Sequence, residues 1–90
     1  MPTPTDPGPL TEARVTLRYW AGARAAAGVE HEARAGATVG AVLDEAMAAH
    51  PGLRAVIPVS SILLEGRPAG RDVPVADGAV LEVLPPFAGG

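Results

Sequence analysis

Few residues of this chain have types and spacing fit for chemistry, and the most informative stand at its C-terminal end. Leu84-Pro85-Pro86-Phe87-Ala88-Gly89-Gly90 follows directly on an alternating segment, Ala79 to Leu84. The alternation predicts a strand. Proline cannot extend a sheet, so Pro85 and Pro86 hold the last residues away from the domain. Gly89 and Gly90 have no Cβ, so surrounding backbone can approach them closely. Such an end fits, C-terminus first, into a narrow channel of another protein. Pro85, Pro86, Phe87, Ala88 and Gly89 would be the threaded segment. The one reactive group at the tip is the α-carboxylate of Gly90. The pattern reads as a carrier whose working group is its own C-terminus.

The remaining polar residues make a weaker site. Asp44, Glu45, His31 and His50 are candidates for acid–base or metal work, but no ligand spacing connects them. His50 is expected at a helix C-terminus, where its charge is favourable without any catalytic role. His31 is expected on a polar strand. Solvated or capping roles are therefore assigned to these residues, and no metal is expected. Gly22 and Gly28 form neither a phosphate loop nor a dinucleotide fingerprint. A carboxylate is a poor electrophile, so activation of Gly90 has to come from another protein.

Composition narrows the classes. Ninety residues make one small domain that buries on the order of 60% of the unfolded chain's surface. Tyr19, Trp20 and Phe87 are the only aromatics, so aliphatic residues must fill the core. There is no cysteine, which excludes a disulfide, a thiolate metal site and a thiol nucleophile. All seven basic residues are arginine, a usage consistent with GC-rich coding. The α-amino group is then the only amine able to accept an acyl group. The net charge of -3, with no basic run, argues against nucleic acid as a partner. No apolar run approaches a membrane span. Met1 to Pro9 has neither the basic start nor the apolar stretch of a signal peptide. A cytoplasmic chain is expected, with a disordered arm over 1–12, a domain over 13–84 and a flexible tail over 85–90.

The elements that must position the tail can be read from periodicity. Arg14 to Trp20 alternates, with Val15, Leu17 and Tyr19 on one face. Ala21 to Gly28 suits a short helical turn or a wide loop. Val29 to Arg34 reads as a polar return strand. Thr38 is a candidate N-cap for a helix carrying Val39, Val42, Leu43, Ala46 and Met47 on one face. His50-Pro51-Gly52 stops it. Leu53, Val56 and Ile57 lie in a connection broken by Pro58. Ser61 to Glu65 is a third strand, Gly66 turns, and Asp77-Gly78 leads into the last strand.

Strand, strand, helix, strand, strand is an α+β pattern, because one amphipathic helix needs one sheet face to cover it. A mixed sheet packed on one main helix is the β-grasp, ubiquitin-like arrangement. Its first and last strands lie side by side and parallel, leaving a free C-terminal Gly-Gly tail. If Leu81 and Val83 face the helix, Leu84 faces out. Trp20 then emerges on the outer face beside Leu84 at the root of the tail. An exposed Trp next to an exposed Leu makes a candidate partner interface.

Several of these segments resemble a known family. They are Leu17-Arg18-Tyr19-Trp20-Ala21, Arg24, Ala27-Gly28-Val29-Glu30, Thr38-Val39-Gly40, Leu43, Pro51-Gly52-Leu53, Asp77-Gly78 and Val83-Leu84-Pro85-Pro86-Phe87-Ala88-Gly89-Gly90. Together they resemble the small, sulfur-carrying subunits of molybdopterin synthase, the MoaD branch of the MoaD/ThiS sulfur carriers. The resemblance spans roughly residues 14–90. It implies a β-grasp fold and a non-catalytic subunit of a sulfurtransferase. It also implies an adenylyltransferase related to the ubiquitin activators, which uses ATP to adenylate Gly90. A sulfur donor then makes the C-terminal thiocarboxylate. The tail enters the large synthase subunit, in a heterotetramer, and its sulfur goes to molybdopterin of the molybdenum cofactor. No bound cofactor is implied. Two other functions stay open at this point: a ubiquitin-like protein modifier, and a sulfur carrier for thiamine or cysteine biosynthesis.

Overall fold

The alternation of the first strand, β1 (Ala13–Tyr19), decides the layering. Ala13, Val15, Leu17 and Tyr19 are buried, while Arg14, Thr16 and Arg18 between them are exposed. One face of the sheet is therefore dry and the other wet. The computed structural model describes residues 12–86. Most of the expected arm, and Phe87, Ala88, Gly89 and Gly90 of the expected tail, lie outside the described residues.

After β1 come α1 (Ala21–Ala27), β2 (His31–Gly36), α2 (Val39–Ala49) and α3 (Leu53–Val56). A 3-10 turn (Ile57–Val59) then leads to β3 (Ser61–Leu64), β4 (Arg67–Pro68) and β5 (Val80–Leu84). The sheet order is β2-β1-β5-β3-β4. β1 and β5 are adjacent and parallel, from Thr16 opposite Val80 to Tyr19 opposite Val83. The other pairs are antiparallel. This is the mixed β-grasp sheet that the pattern of elements implies.

The main helix forms as its sequence directs. The Thr38 side chain accepts a hydrogen bond from Ala41 N–H at 3.2 Å. The Val39 and Gly40 N–H groups donate to the Val73 and Arg71 carbonyls at 2.9 and 2.8 Å. Three of the orphan donors of the first turn are thereby satisfied. Val39, Val42, Leu43 and Ala46 are buried against Leu17, Leu81 and Val83, with Met47 half-buried at the rim. No polar or charged residue is fully buried among the described residues.

The structure adjusts several expected boundaries. The return strand runs from His31 to Gly36 rather than from Val29, because α1 ends on Gly28 at φ 79° and the chain needs two more residues to turn. The connection after Gly52 is helical: α3 buries Leu53, and Pro58 sits early in the 3-10 turn, where its missing N–H costs nothing. Glu65 belongs to a turn, not a strand. It has φ 50° and Gly66 has φ 81°. Two left-handed residues in a two-residue loop twist correctly for a hairpin, and this loop creates the short β4. Pro85 is buried, although it stands in the segment expected to project. It continues the inward parity of Leu81 and Val83, so the tail leaves the domain at Pro86.

Gly36 makes the closest backbone approach between β2 and α2. A Cβ there would lie 2.9 Å from both the backbone nitrogen and a methyl group of Val42. The backbone atom cannot swing away, so Gly36→Ala is expected to cost about 1–3 kcal/mol. Urea unfolding checks this; an unchanged midpoint would show that the helix shifts freely.

Candidate functional site

The parallel register brings the end of β1 and the root of the tail to the same place. Trp20 N–H donates to the Val83 carbonyl at 3.2 Å, extending the ladder one step past Tyr19. Trp20 therefore sits beside the last residues of β5. Its carbonyl then accepts from Ala23 N–H at 2.9 Å, which starts α1. Trp20 is 37% exposed, among the most exposed large apolar residues described. Two contacts fix its orientation on the outer face. Indole Nε1–H donates to Glu82 Oε2 at 3.1 Å, and the Arg18 guanidinium lies 5.2 Å from the ring centroid. A cation over an aromatic face and a hydrogen bond at its edge hold the ring without burying it.

Leu84 comes two residues after Glu82 on this outer face and is half-buried, paired across to Ser61. The result is a strip of Arg18, Trp20, Glu82 and Leu84 on one face, ending next to Pro85 and the exposed Pro86. Glu82 and Arg18 are absent from the sequence-based interface. Their i-2 spacing from Leu84 and Trp20 is the signal that points to them, since alternate residues share a face.

A second cluster has no counterpart in the sequence-based expectations. On the inner face, opposite Leu17, stands Glu32. Its carboxylate accepts from Tyr19 O–H at 2.6 Å, from Arg34 at 2.9 Å and from His50 Nε2 at 2.9 Å. Arg34 also approaches Glu45 at 4.0 Å. His50, expected to be solvated or capping, does end α2 but is half-buried, with its ring edge-on to Tyr19. Burial alone would raise the Glu32 carboxyl. The hydrogen bonds from Arg34, Tyr19 and His50 outweigh it and hold the group at about 2. Burial first, then the bond to Glu32, pushes the Tyr19 phenol well above its ordinary value. A tyrosine on a core face needs a partner for its hydroxyl, and Glu32 on the inward parity of β2 supplies it, itself held by Arg34 two residues on. The cluster clamps the C-terminus of α2 to β1 and β2.

Asp44 pairs with Arg71 at 2.8 Å on the surface, and His31 is exposed. The structure brings neither to His50. Among the described residues no group of three His, Cys, Asp or Glu could hold a metal ion, and no helix is long and apolar enough to cross a membrane. A surface concavity of about 560 Å³ between β2 and α2 is lined by Arg14, Arg34, Glu45 and alanines, and lies away from the tail.

Comparison with known proteins places this geometry. The ThiS family matches residues 17–90. The small archaeal modifier protein 1 from Methanosarcina acetivorans is 26% identical, covers 88% of this chain and 98% of its own, and superposes with a TM-score of 0.81. A Pyrococcus furiosus protein assigned as molybdopterin converting factor subunit 1 is 27% identical over 83% of this chain and 99% of its own, with a TM-score of 0.76. A chain in the complex of subunits 1 and 2 of the molybdopterin-converting factor from Helicobacter pylori has the same fold, at 23% identity over 86% and 99% and a TM-score of 0.64. No curated protein matches the chain.

The Glu32 cluster has a pH consequence. Its carboxyl lies near 4.5 when free and near 2 in the fold. A depressed pKa contributes stability that is complete above pH 4.5 and is lost as pH falls through 2, on the order of 3 kcal/mol. Glu32→Gln is expected to lower stability at neutral pH and to flatten the acid limb relative to the parent chain. Denaturant midpoints from neutral pH down to pH 2 check it; parallel acid limbs would show that Glu32 carries no such linkage.

Proposed function

The chain belongs to the ThiS family, and on that premise we propose that it carries sulfur as a thiocarboxylate on Gly90. Its small-carrier, ubiquitin-like fold fits a subunit that performs no catalysis itself. The observation that carries the reading is the tail's origin. It leaves a central strand, β5, directly beside an oriented, exposed tryptophan. A docked partner can grip the Trp20–Leu84 strip while the residues beyond it enter the partner's active site.

The cycle follows from the chemistry of a carboxylate. An adenylyltransferase of the kind that activates ubiquitin joins AMP to the Gly90 carboxyl, using ATP. A sulfur donor displaces AMP and leaves the thiocarboxylate. The large subunit of molybdopterin synthase then receives Pro86, Phe87, Ala88, Gly89 and Gly90 in its channel, and the sulfur is built into molybdopterin. Each carrier delivers one sulfur, so a heterotetramer with two of each subunit is the working assembly, in the cytoplasm. ATP acts at the activating enzyme, and the carrier itself needs no cofactor.

The likeness to the archaeal modifier at a TM-score of 0.81 favours a second reading. In it the same activated Gly90 is joined whole to a lysine of another protein. Both readings need the adenylate, and they differ in the nucleophile that displaces AMP.

Two expectations test the sulfur-carrier reading. Deleting Gly90, or making Gly89→Ala, should abolish molybdopterin formation while leaving thermal unfolding unchanged. A wild-type yield from the shortened chain contradicts the proposal. Trp20→Ala and Leu84→Glu should each weaken binding to the large subunit, by about 2 kcal/mol or more for a central aromatic anchor. Calorimetric titration alongside denaturant midpoints separates binding from folding. A large midpoint shift with unchanged affinity per folded molecule would make Trp20 a core residue, not a docking one.

A further inference from the structure

We propose that this chain is a one-way acyl donor: none of its own side chains captures its activated C-terminus, so every lasting link goes to a partner's nucleophile. The inference rests on the proposed activation of Gly90. It starts from a property of the whole sequence. The seven basic residues are all arginine, and lysine and cysteine are both absent. Lysine amines and cysteine thiols are the side chains best suited to attack an acyl carbon, the amine keeping the product as an amide and the thiol holding it as a thioester that can be passed on. A guanidinium stays protonated and has no free electron pair to offer.

The tail makes this absence matter. The five residues beyond Pro85 span at most about 18 Å, more than the roughly 10 Å from Pro85 back to the Glu82 position of β5. The cation nearest its root in register is Arg18, opposite Glu82 and two residues short of Leu84. That position carries a charge over Trp20, yet holds no amine.

Among the described residues, three other polar side chains are held by hydrogen bonds. The Tyr19 hydroxyl donates to Glu32 at 2.6 Å, and His50 Nε2 donates to the same carboxylate. Ser60 Oγ donates to the Val56 carbonyl at 2.7 Å. Ser61 stands across from Leu84, but a serine hydroxyl needs an adjacent base, and no hydrogen bond joins it to one among the described residues. Exposed His31 would form an acyl-imidazole that water cleaves, returning the free carboxylate.

The balance of the step is simple. In the adenylate, the partner's amine nitrogen, or a sulfide, attacks the Gly90 carbonyl carbon. A C–N or C–S bond forms, the C–O bond to phosphate breaks, and AMP leaves with the electron pair. The nucleophile's proton goes to water. Copies of this chain therefore do not build polymers linked through lysine or cysteine side chains; self-linkage by an amine is confined to the chain's α-amino group.

The test uses a Gly90 thioester of the full chain made by intein cleavage, which needs no activating enzyme. The thioester is held at mildly alkaline pH, alone and with excess lysine amide, and followed by intact mass and peptide mapping. The parent chain alone should give the hydrolysed acid, with any self-link confined to Met1; with lysine amide it should give a single adduct. Arg18→Lys keeps the charge and restores an amine, and should raise self-linked species about tenfold by proximity. A self-link in the parent mapped to any side chain overturns the proposal. So does an Arg18→Lys variant that self-links no more than the parent. ATP–pyrophosphate exchange with the activating enzyme reports separately on whether Gly90 is adenylated, so failure of that premise is seen apart from failure of this one.

Discussion

The parallel pairing of β1 with β5 is the constraint on which the rest of the molecule depends. Antiparallel neighbours would send the end of β1 and the end of β5 to opposite edges. Parallel neighbours, from Thr16–Val80 to Tyr19–Val83, deliver both ends to one place. Trp20 then bonds to Val83, and Leu84 is left on the same outer face. A parallel pair also requires a long crossover, and here α1, β2, α2, α3, β3 and β4 all lie within it. The crossover's main helix covers the dry face of the two strands it connects. The core and the proposed docking end therefore follow from one pairing.

The two faces of that pairing use polar groups differently. Outside, Glu82 and Arg18 orient a ring that stays accessible. Inside, Tyr19, Glu32, Arg34 and His50 are drawn together at the end of α2. With three aromatics in the chain, the core is built from Val, Leu, Ile and Ala around a single aromatic, Tyr19. Such a core packs well but offers little directional preference. The Glu32 cluster supplies direction, since a partly buried carboxylate holding three donors fits only one placement of the helix end. The dividing line is functional as well. The inner cluster fixes the scaffold, and the outer strip is where we propose that a partner docks.

Much of the fold is legible in the sequence because it rests on period. The alternation of β1 and β5, the Thr38 cap and the apolar stripe from Val39 to Met47 are local signals that the packing does not override. The features that stay hidden are non-local or marginal. Glu32 and His50 are 18 residues apart, and nothing in either neighbourhood indicates the other. The turn at Glu65-Gly66 uses a non-glycine residue at φ 50°, which sequence rules do not favour, so β4 leaves no clear trace. Pro85 reads as a stalk residue in isolation. Only the inward parity it inherits from Val83 shows that it belongs to the domain. The strip at the tail root is legible by parity alone, though the bonds that orient Trp20 are not.

Every functional step attributed to this chain passes through the acyl carbon of Gly90. The most direct test is the intact mass of the full chain after incubation with its activating enzyme, ATP and a sulfide source. One sulfur replacing one oxygen adds about 16 Da, a covalent change confined to the C-terminus. The account predicts that gain, localised to Gly90 by fragmentation and absent from the chain lacking Gly90. An unchanged mass under those conditions, together with isopeptide conjugates on many cellular proteins, would contradict the sulfur-carrier account and leave the modifier in its place.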